Sequence, residues 1–249
     1  MWKVVPLCEA QRQDVKPKDI LAGGLFRVCD TNTAMKGQDL FSDICNRRLG
    51  RRLSRQFVVQ LYGCVLNCNY CYVTEYGVWG GYVEISSISI IESLVQSRCD
   101  VLHLMGGSPA LYIENWIELI KEMECVFPQE YVFHSDLLLL EKEYDLSVLK
   151  TLAQPNVLLA VNVKGCTPND FEKETRKQFY YDLFFSNLKK VVDSGVNFYI
   201  TVTTRNLSLF NNMKENFSVL YGEEIVRDMF SITPIEYKAL TFCPRAELQ

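Results

Sequence analysis

Six short apolar runs alternate with amphipathic segments of helical length from about residue 56 onward, and this alternation is the strongest constraint on the fold. The runs are near-continuous in apolar or β-branched residues, as expected for strands buried on both faces of a parallel sheet. Parallel strands need crossover connections, which the helical segments supply as right-handed βαβ units. The candidate strands are QFVVQLYG (56–63), DVLHLMG (100–106), EYVFHS (130–135), NVLLAVNV (156–163), VNFYITVTT (196–204) and FSITPIEY (230–237).

Six such units are too few to close an eight-stranded barrel, so the pattern predicts an α/β fold with an open or partial barrel of parallel strands. We expect an N-terminal extension at 1–55, the partial barrel at 56–240 and a C-terminal tail at 241–249. In such folds the reactive groups gather at the C-terminal ends of the strands. The loop after the first strand is therefore where chemistry is expected.

The composition is that of an ordinary globular protein. Hydrophobic residues make up 48% and charged residues 22% of the chain, and a net charge of −4 gives no general attraction to nucleic acid. We interpret the five arginines at 46–55 as a solvated surface rather than an anion-binding site. The sequence shows neither the ~20 apolar residues of a membrane helix nor a signal peptide. We therefore expect a cytoplasmic protein without membrane or nucleic-acid partners.

The loop after the first strand, LYGCVLNCNYCYV (61–73), holds Cys64, Cys68 and Cys71 at the spacing C-x3-C-x2-C. In a reducing compartment, cysteines point to metal binding or catalysis rather than to disulfides. Structural zinc is disfavoured because it usually needs two C-x2-C pairs, and this chain has one. A redox dithiol would not use a third cysteine. Three thiolates suit a [4Fe–4S] cluster whose fourth iron is left for a ligand that is not protein.

The segment GCVLNCNYCY, with Tyr70 directly before the last cysteine, resembles the radical S-adenosylmethionine (radical SAM) superfamily, and within it the branch of pyruvate formate-lyase-activating enzymes. The resemblance implies a partial (β/α)6 TIM-like barrel, in agreement with the strand count. It also implies a [4Fe–4S] cluster held by the three cysteines, with SAM bound to the open iron. Reductive cleavage of SAM would then give a 5′-deoxyadenosyl radical that abstracts hydrogen from a substrate.

The resemblance extends to MGGSPAL (105–111), which is similar to the family's GGEP segment, whose backbone carbonyls receive the SAM ammonium group. Ser108 departs from the family's usual glutamate, and the neighbourhood of Tyr70 is implied to pack against the adenine. Further contacts are expected after the later strands, where each residue is equally an ordinary loop residue. The implied cofactor-binding residues are Tyr70, Gly106, Gly107, Ser108, Pro109, Ser135 or its neighbour Asp136, Asn162, Lys164, Thr203 and Arg205.

Three functions remain open from the sequence. We expect an oxidoreductase- or lyase-type radical SAM enzyme that acts on a small molecule or peptide of a biosynthetic pathway, with flavodoxin or ferredoxin as electron donor. An activase that installs a glycyl radical on a partner enzyme is the first alternative, and a non-catalytic iron–sulfur sensor or scaffold is the second. We interpret Cys8, Cys29, Cys45 and Cys243 as scattered thiols, with a second cluster as the alternative.

Overall fold

The computed structural model describes residues 1–6, 20–30, 40–51, 53, 55–68, 71, 73, 79–127, 131–138, 145–177, 181–204, 206–227 and 230–232. The strands within these ranges are β1 (Trp2–Val4), β2 (Ile20–Leu21), β3 (Phe26–Asp30), β4 (Arg55–Gln60), β5 (Val83–Ile85), β6 (Val101–Met105), β7 (Val132–Leu137), β8 (Val157–Val163), β9 (Phe198–Thr203) and β10 (Phe230–Ile232). The α-helices are α1 (Leu40–Leu49), α2 (Ser87–Ser97), α3 (Ile113–Val126), α4 (Leu146–Thr151), α5 (Pro168–Thr175), α6 (Tyr181–Ser194), α7 (Leu207–Tyr221) and α8 (Glu223–Arg227). Of the helices in these ranges, none has the length and apolar character needed to cross a membrane.

The main sheet has the strand order β10-β9-β8-β7-β6-β4-β3-β2. From β4 to β10 its neighbours pair in parallel and follow one another in chain order. Because this order never reverses, right-handed crossovers place all their helices on the same face of the sheet. A doubly wound sheet, by contrast, reverses its order and is covered on both faces. The predicted α/β partial barrel of parallel strands is confirmed.

The two faces of the sheet differ in what covers them. The outer face, which includes Phe57, Leu102 and Phe133, packs in one apolar cluster with helix residues such as Trp116 and Phe184. The inner face is covered near the N-terminal ends of its strands by α1. The apolar cluster on that side contains Ile44 and Cys45 of α1, Leu53, Val101, Val132, Leu158, Ala160 and Tyr199. Alternating residues of each strand therefore point to the helices or into the barrel.

The N-terminal residues add strands of their own. β3 pairs antiparallel with β4 and with β2, which extends the main sheet by two strands. β1 instead pairs antiparallel with β5. The indole Nε1 of Trp2 in β1 donates to Ser87 Oγ at 3.0 Å across 85 residues of sequence. The alternation of strands and helices in the sequence does not predict either pairing. The proposed domain boundaries at residues 55 and 240 remain predictions.

Candidate cluster and cofactor site

The cysteine loop leaves the C-terminal end of β4 between β6 on one side and β1 on the other, and both strands accept hydrogen bonds from its first residues. The backbone N–H of Leu61 donates to Met105 O at 2.9 Å, and that of Tyr62 donates to Lys3 O at 3.0 Å. Further along the loop, the side chain of Leu66 is buried in the outer-face core. The loop is thus fastened to β6, to β1 and to the core before its second cysteine.

The three thiols lie at the C-terminal edge of the sheet, and none of them is in a disulfide. Cys68 is buried, and Cys64 and Cys71 are half-buried. The backbone N–H of Leu66 lies 3.4 Å from Cys64 Sγ, and hydrogen bonds of this kind to cysteine sulfur tune iron–sulfur clusters. Within the described ranges, no three Cys, His, Asp or Glu side chains are already arranged to hold a metal. The donor chemistry fits a cluster, and the ligand roles remain a prediction.

The turn after β6 is pressed against the cysteine loop. Gly106 and Gly107 have φ values of +69° and +50°, a left-handed conformation that glycine adopts readily. A Cβ on Gly107 would lie 2.3 Å from Gly63 O and 2.6 Å from Leu61 O, so no side chain fits there. The N–H of Ser108 donates to Gly63 O at 2.6 Å. Two segments that the sequence assigned separately to the cluster and to SAM therefore lie in direct contact.

The rest of the GGSP segment is buried. Ser108 and Pro109 are buried, and Pro109 opens a 3-10 helix that runs to Tyr112. The hydroxyl of Tyr112 donates to Tyr62 O at 3.0 Å, which gives the cysteine loop a further contact with this turn. The described geometry supports a backbone role for this segment more directly than a role for the Ser108 hydroxyl.

The later strand ends place the remaining candidates on different faces. Ser135 pairs with Leu104 and Leu159 in the sheet register, and both of those leucines belong to the outer-face core. Its hydroxyl donates to Asp136 O at 3.0 Å. Asp136 lies on the opposite, inner face, and 29% of its side chain is exposed. The geometry therefore favours Asp136 over Ser135 as a residue that meets a ligand.

Two other candidates, Asn162 and Thr203, lie on the same inner face as Asp136. Asn162 accepts a hydrogen bond from the Thr201 hydroxyl at 2.5 Å through Oδ1, and its Nδ2 donates to Ala160 O at 3.1 Å. Thr203 is the last residue of β9 and is buried. Lys164 directly follows β8 and is half-buried. Tyr70 and Arg205 lie outside the described residues, as do Cys8 and Cys243.

A polar chain on the inner face was not assigned a role from the sequence. His103 Nε2 lies 3.6 Å from Asp136 Oδ1, and the imidazole rings of His103 and His134 are 4.1 Å apart. His134 Nε2 in turn lies 3.0 Å from the Tyr199 hydroxyl. Burial, assisted by His103, holds the pKa of His134 well below its usual 6.5, so that ring is neutral. Burial likewise raises the pKa of Tyr199 well above 10.

A second network joins the ends of β8 and β9. Asp170 in the first turn of α5 is only 8% exposed. Its Oδ2 accepts hydrogen bonds from Cys166 N at 2.8 Å and from Thr204 Oγ1 at 2.9 Å. Asp170 occurs in TPNDFEKET and is not among the site residues predicted from the sequence. No local signal marks it as buried, because its burial depends on the tertiary approach of Thr204.

Several cysteines outside the loop behave as buried thiols. Burial raises the pKa of Cys45 to about 12 and that of Cys166 to about 11. Burial also raises the pKa of Cys99. A thiolate is required for metal ligation, so these raised values fit packed thiols. For Cys45 this agrees with the interpretation made from the sequence.

The fold and the site together define a class of α/β protein whose cofactors bind at the C-terminal ends of parallel strands. The model of the radical SAM superfamily matches residues 58–215, which is well over half of the 249 residues. The chain belongs to the radical SAM superfamily. Its predicted class as a radical SAM enzyme, with a [4Fe–4S] cluster and SAM as cofactors, is confirmed at the level of the family.

Several solved structures resemble the chain at low sequence identity. TYW1 with a lysine–pyruvate adduct bound has a TM-score of 0.54 at 12% identity, over 87% of this chain and 78% of that one. Native anSMEcpe with bound AdoMet and Cp18Cys peptide has a TM-score of 0.49 at 16% identity, over 68% and 47%. TsrM from Kitasatospora setae, with cobalamin and a [4Fe–4S] cluster bound, has a TM-score of 0.46 at 14% identity, over 64% and 33%.

The chain spans less than half the length of anSMEcpe and a third of the length of TsrM. The likeness to TYW1 supports the fold. No curated protein matches the sequence. Substrate and partners are therefore argued from this chain's own residues.

Proposed function

We propose that this protein holds a [4Fe–4S] cluster through Cys64, Cys68 and Cys71 and binds SAM beside it, at the Gly106–Gly107 turn. Together the two cofactors would supply reductive cleavage of SAM to a 5′-deoxyadenosyl radical, which abstracts hydrogen from a substrate. The observation that carries the proposal is the direct contact between the cysteine loop and the double-glycine turn. That contact rests on the N–H of Ser108 donating to Gly63 O and on a space too small for any side chain at Gly107.

The chain's own residues have distinct tasks in this proposal. The three thiolates bind the cluster, and the N–H of Leu66 donates to the sulfur of Cys64. The backbone of Gly106 and Gly107 offers carbonyl groups to the SAM ammonium. Asn162 is oriented by its hydrogen bonds to Thr201 and Ala160 and presents its amide at the end of β8. We infer from their positions that Asn162, Lys164 and Thr203 line the same cofactor-binding space.

The substrate is proposed to meet the inner face at Asp136. This carboxylate is the accessible end of a polar chain that becomes progressively more buried through His103 to His134. The ring of His103 packs in a tilted arrangement against the neutral ring of His134, which sets its position for orienting the carboxylate. A polar cleft of this kind suits a small molecule or a peptide segment. The electron donor is proposed to be a flavodoxin or ferredoxin. We propose that the reaction takes place in the cytoplasm, since none of the described cysteines is in a disulfide.

Anaerobic reconstitution tests the proposal. The protein is incubated with iron and sulfide, its iron content and electron paramagnetic resonance (EPR) spectrum are measured, and SAM and dithionite are then added. We expect about four irons per chain, a change in the EPR spectrum with SAM, and formation of 5′-deoxyadenosine detected by mass spectrometry.

The matched variants are Cys68→Ala in the loop and Cys125→Ala, which removes an exposed thiol from α3. Cys68→Ala should lose the cluster and Cys125→Ala should retain it. A full cluster in Cys68→Ala would overturn the ligand assignment. A cluster that forms in the unmodified protein but never yields a SAM fragment, even with candidate substrates, would favour a sensor or scaffold instead.

A further inference from the structure

Helix α5 begins against the end of β8 at a contact that only glycine permits. Gly165 has a φ of +146°, and a Cβ there would lie 2.4 Å from Phe171 N and 2.5 Å from Phe171 Cα. The helix is capped by Thr167, whose hydroxyl accepts a hydrogen bond from Asp170 N at 3.1 Å. The first turn of α5 is therefore seated directly on the strand end that carries Asn162 and Lys164.

Asp170 fastens this first turn to two strand ends at once. An acidic residue three positions after the cap ordinarily reaches back to the N–H of the capping residue. Here the carboxylate reaches one residue further and accepts from Cys166 N, while the same Oδ2 accepts from the hydroxyl of Thr204 just after β9. Thr204 Oγ1 also accepts from Asn206 N at 3.1 Å. The ends of β8 and β9 are thus held together through one buried carboxylate.

The other end of α5 contacts the cysteine loop. The N–H of Asn67, which lies between Cys64 and Cys68, donates to Thr175 O at 3.3 Å. Thr175 is itself fixed by its hydroxyl, which donates to Phe171 O at 2.7 Å and accepts from Lys177 N at 3.3 Å. The helix has 8 residues and is therefore about 12 Å long. It is a short rigid link between the cysteine loop and the ends of β8 and β9.

We propose that Asp170 is a positioning residue that, through α5, sets the cysteine loop relative to the ends of β8 and β9. This arrangement, from Gly165 through Asp170 and Thr175 to Asn67, is called the α5 clamp. The inference rests on the proposed function, because the two parts that the clamp joins would hold the cluster and SAM. Misplacing bound reactants by about 1 Å can slow a reaction by about 100-fold, so the clamp would act on SAM binding and cleavage rather than on iron ligation.

The test compares Asp170→Ala with Asp170→Asn, which keeps an acceptor oxygen of the same shape. Hydrogen exchange of peptides that cover the cysteine loop is first measured on the metal-free full chain. Iron content, the SAM-induced EPR change, and the KM and kcat of uncoupled 5′-deoxyadenosine formation are then measured on the reconstituted protein. We expect faster exchange of the loop in Asp170→Ala, nearly unchanged iron, a KM for SAM raised about tenfold or more, and substantial rescue in Asp170→Asn.

Asp145→Ala is the matched control, because Asp145 caps α4 through a 2.8 Å bond from Ser147 N and lies outside the clamp. It should leave the loop exchange and the KM for SAM unchanged. If Asp170→Ala does not fold, Thr204→Val carries the same test, since it removes one donor to the carboxylate and keeps the side-chain shape. Loop exchange and KM equal to those of the unmodified protein would overturn the clamp. Absence of cluster or SAM effects in the unmodified protein would instead overturn the proposed function, and loop exchange alone would then decide the clamp.

Discussion

At the N-terminal ends of the strands the inner face is closed by α1, whereas at the C-terminal ends the same strands run into the turns of the candidate site. The closed end is apolar and includes Ile44, Val101 and Leu158. The open end has left-handed glycines, backbone atoms in close approach and the accessible carboxylate of Asp136. One end of each strand therefore contributes mainly stability, and the other contributes mainly chemistry. This division implies that variants at the two ends should fail in different measurements.

The largest effect is expected at the open end, from Gly107→Ala. A Cβ there would overlap the carbonyl oxygens of Gly63 and Leu61, so the turn and the cysteine loop must separate. We expect SAM cleavage to fall by about 100-fold or more, measured as 5′-deoxyadenosine after reconstitution.

The control for this variant is Gly50→Ala. Gly50 also has a positive φ, +66°, but has no atom within 4 Å of the position of an added Cβ. It should cost only the backbone strain of about 1–2 kcal/mol and leave SAM cleavage intact. Equal activity in the two variants would mean that the close contact does not shape the site.

The next effect is expected at the closed end, from Leu158→Ala. Leu158 is fully buried beside α1, and truncation of such a side chain lowers the free energy of unfolding by about 2–5 kcal/mol. Urea unfolding of the metal-free protein measures this loss. The KM for SAM of the folded variant should stay close to that of the unmodified protein, and a large change in it would break the division between the ends.

Acidification should lower the stability of the protein through His134, which belongs to the polar chain between the two ends of the strands. Because the pKa of His134 in the fold lies well below 6.5, the unfolded state binds the proton first as the pH falls. The free energy of unfolding should therefore be highest above pH 6.5 and decrease below it by up to about 1.4 kcal/mol per pH unit. Denaturant unfolding at several pH values measures this slope.

The variant His134→Asn should flatten that slope, since it removes the titrating ring. In His103→Asn most of the slope should remain, because burial is the larger cause of the shift at His134. An unchanged slope in His134→Asn would assign the acid sensitivity to other groups.

The smallest effect is expected from Tyr199→Phe, which removes the hydroxyl that lies 3.0 Å from His134 Nε2. Loss of this one buried hydrogen bond should cost about 1 kcal/mol of unfolding free energy. SAM affinity, followed by the EPR change, should be unaffected. A marked loss of SAM affinity would show that residues nearer the closed end than Asp136 also take part in SAM binding.

The sequence predicted the parts of this molecule that local patterns determine. The six parallel strands follow from near-continuous apolar runs, and the cysteine loop and GGSP turn follow from their motifs. Sequence patterns did not distinguish Ser135 from Asp136, because the run EYVFHS is apolar enough for either parity and the sheet register decides which residue faces inward. They also missed the burial of Asp170, which arises from contact with Thr204, a residue 34 positions away.

The pairing of β1 with β5 has a consequence for the order in which the chain assembles. β1 is made first, but the indole of Trp2 reaches its partner Ser87 only across 85 residues, and the cysteine loop lies between them. During synthesis β1 can therefore pair with β5 only after the whole cysteine loop has been made, whereas its contact with Tyr62 at the entrance to the loop is available earlier.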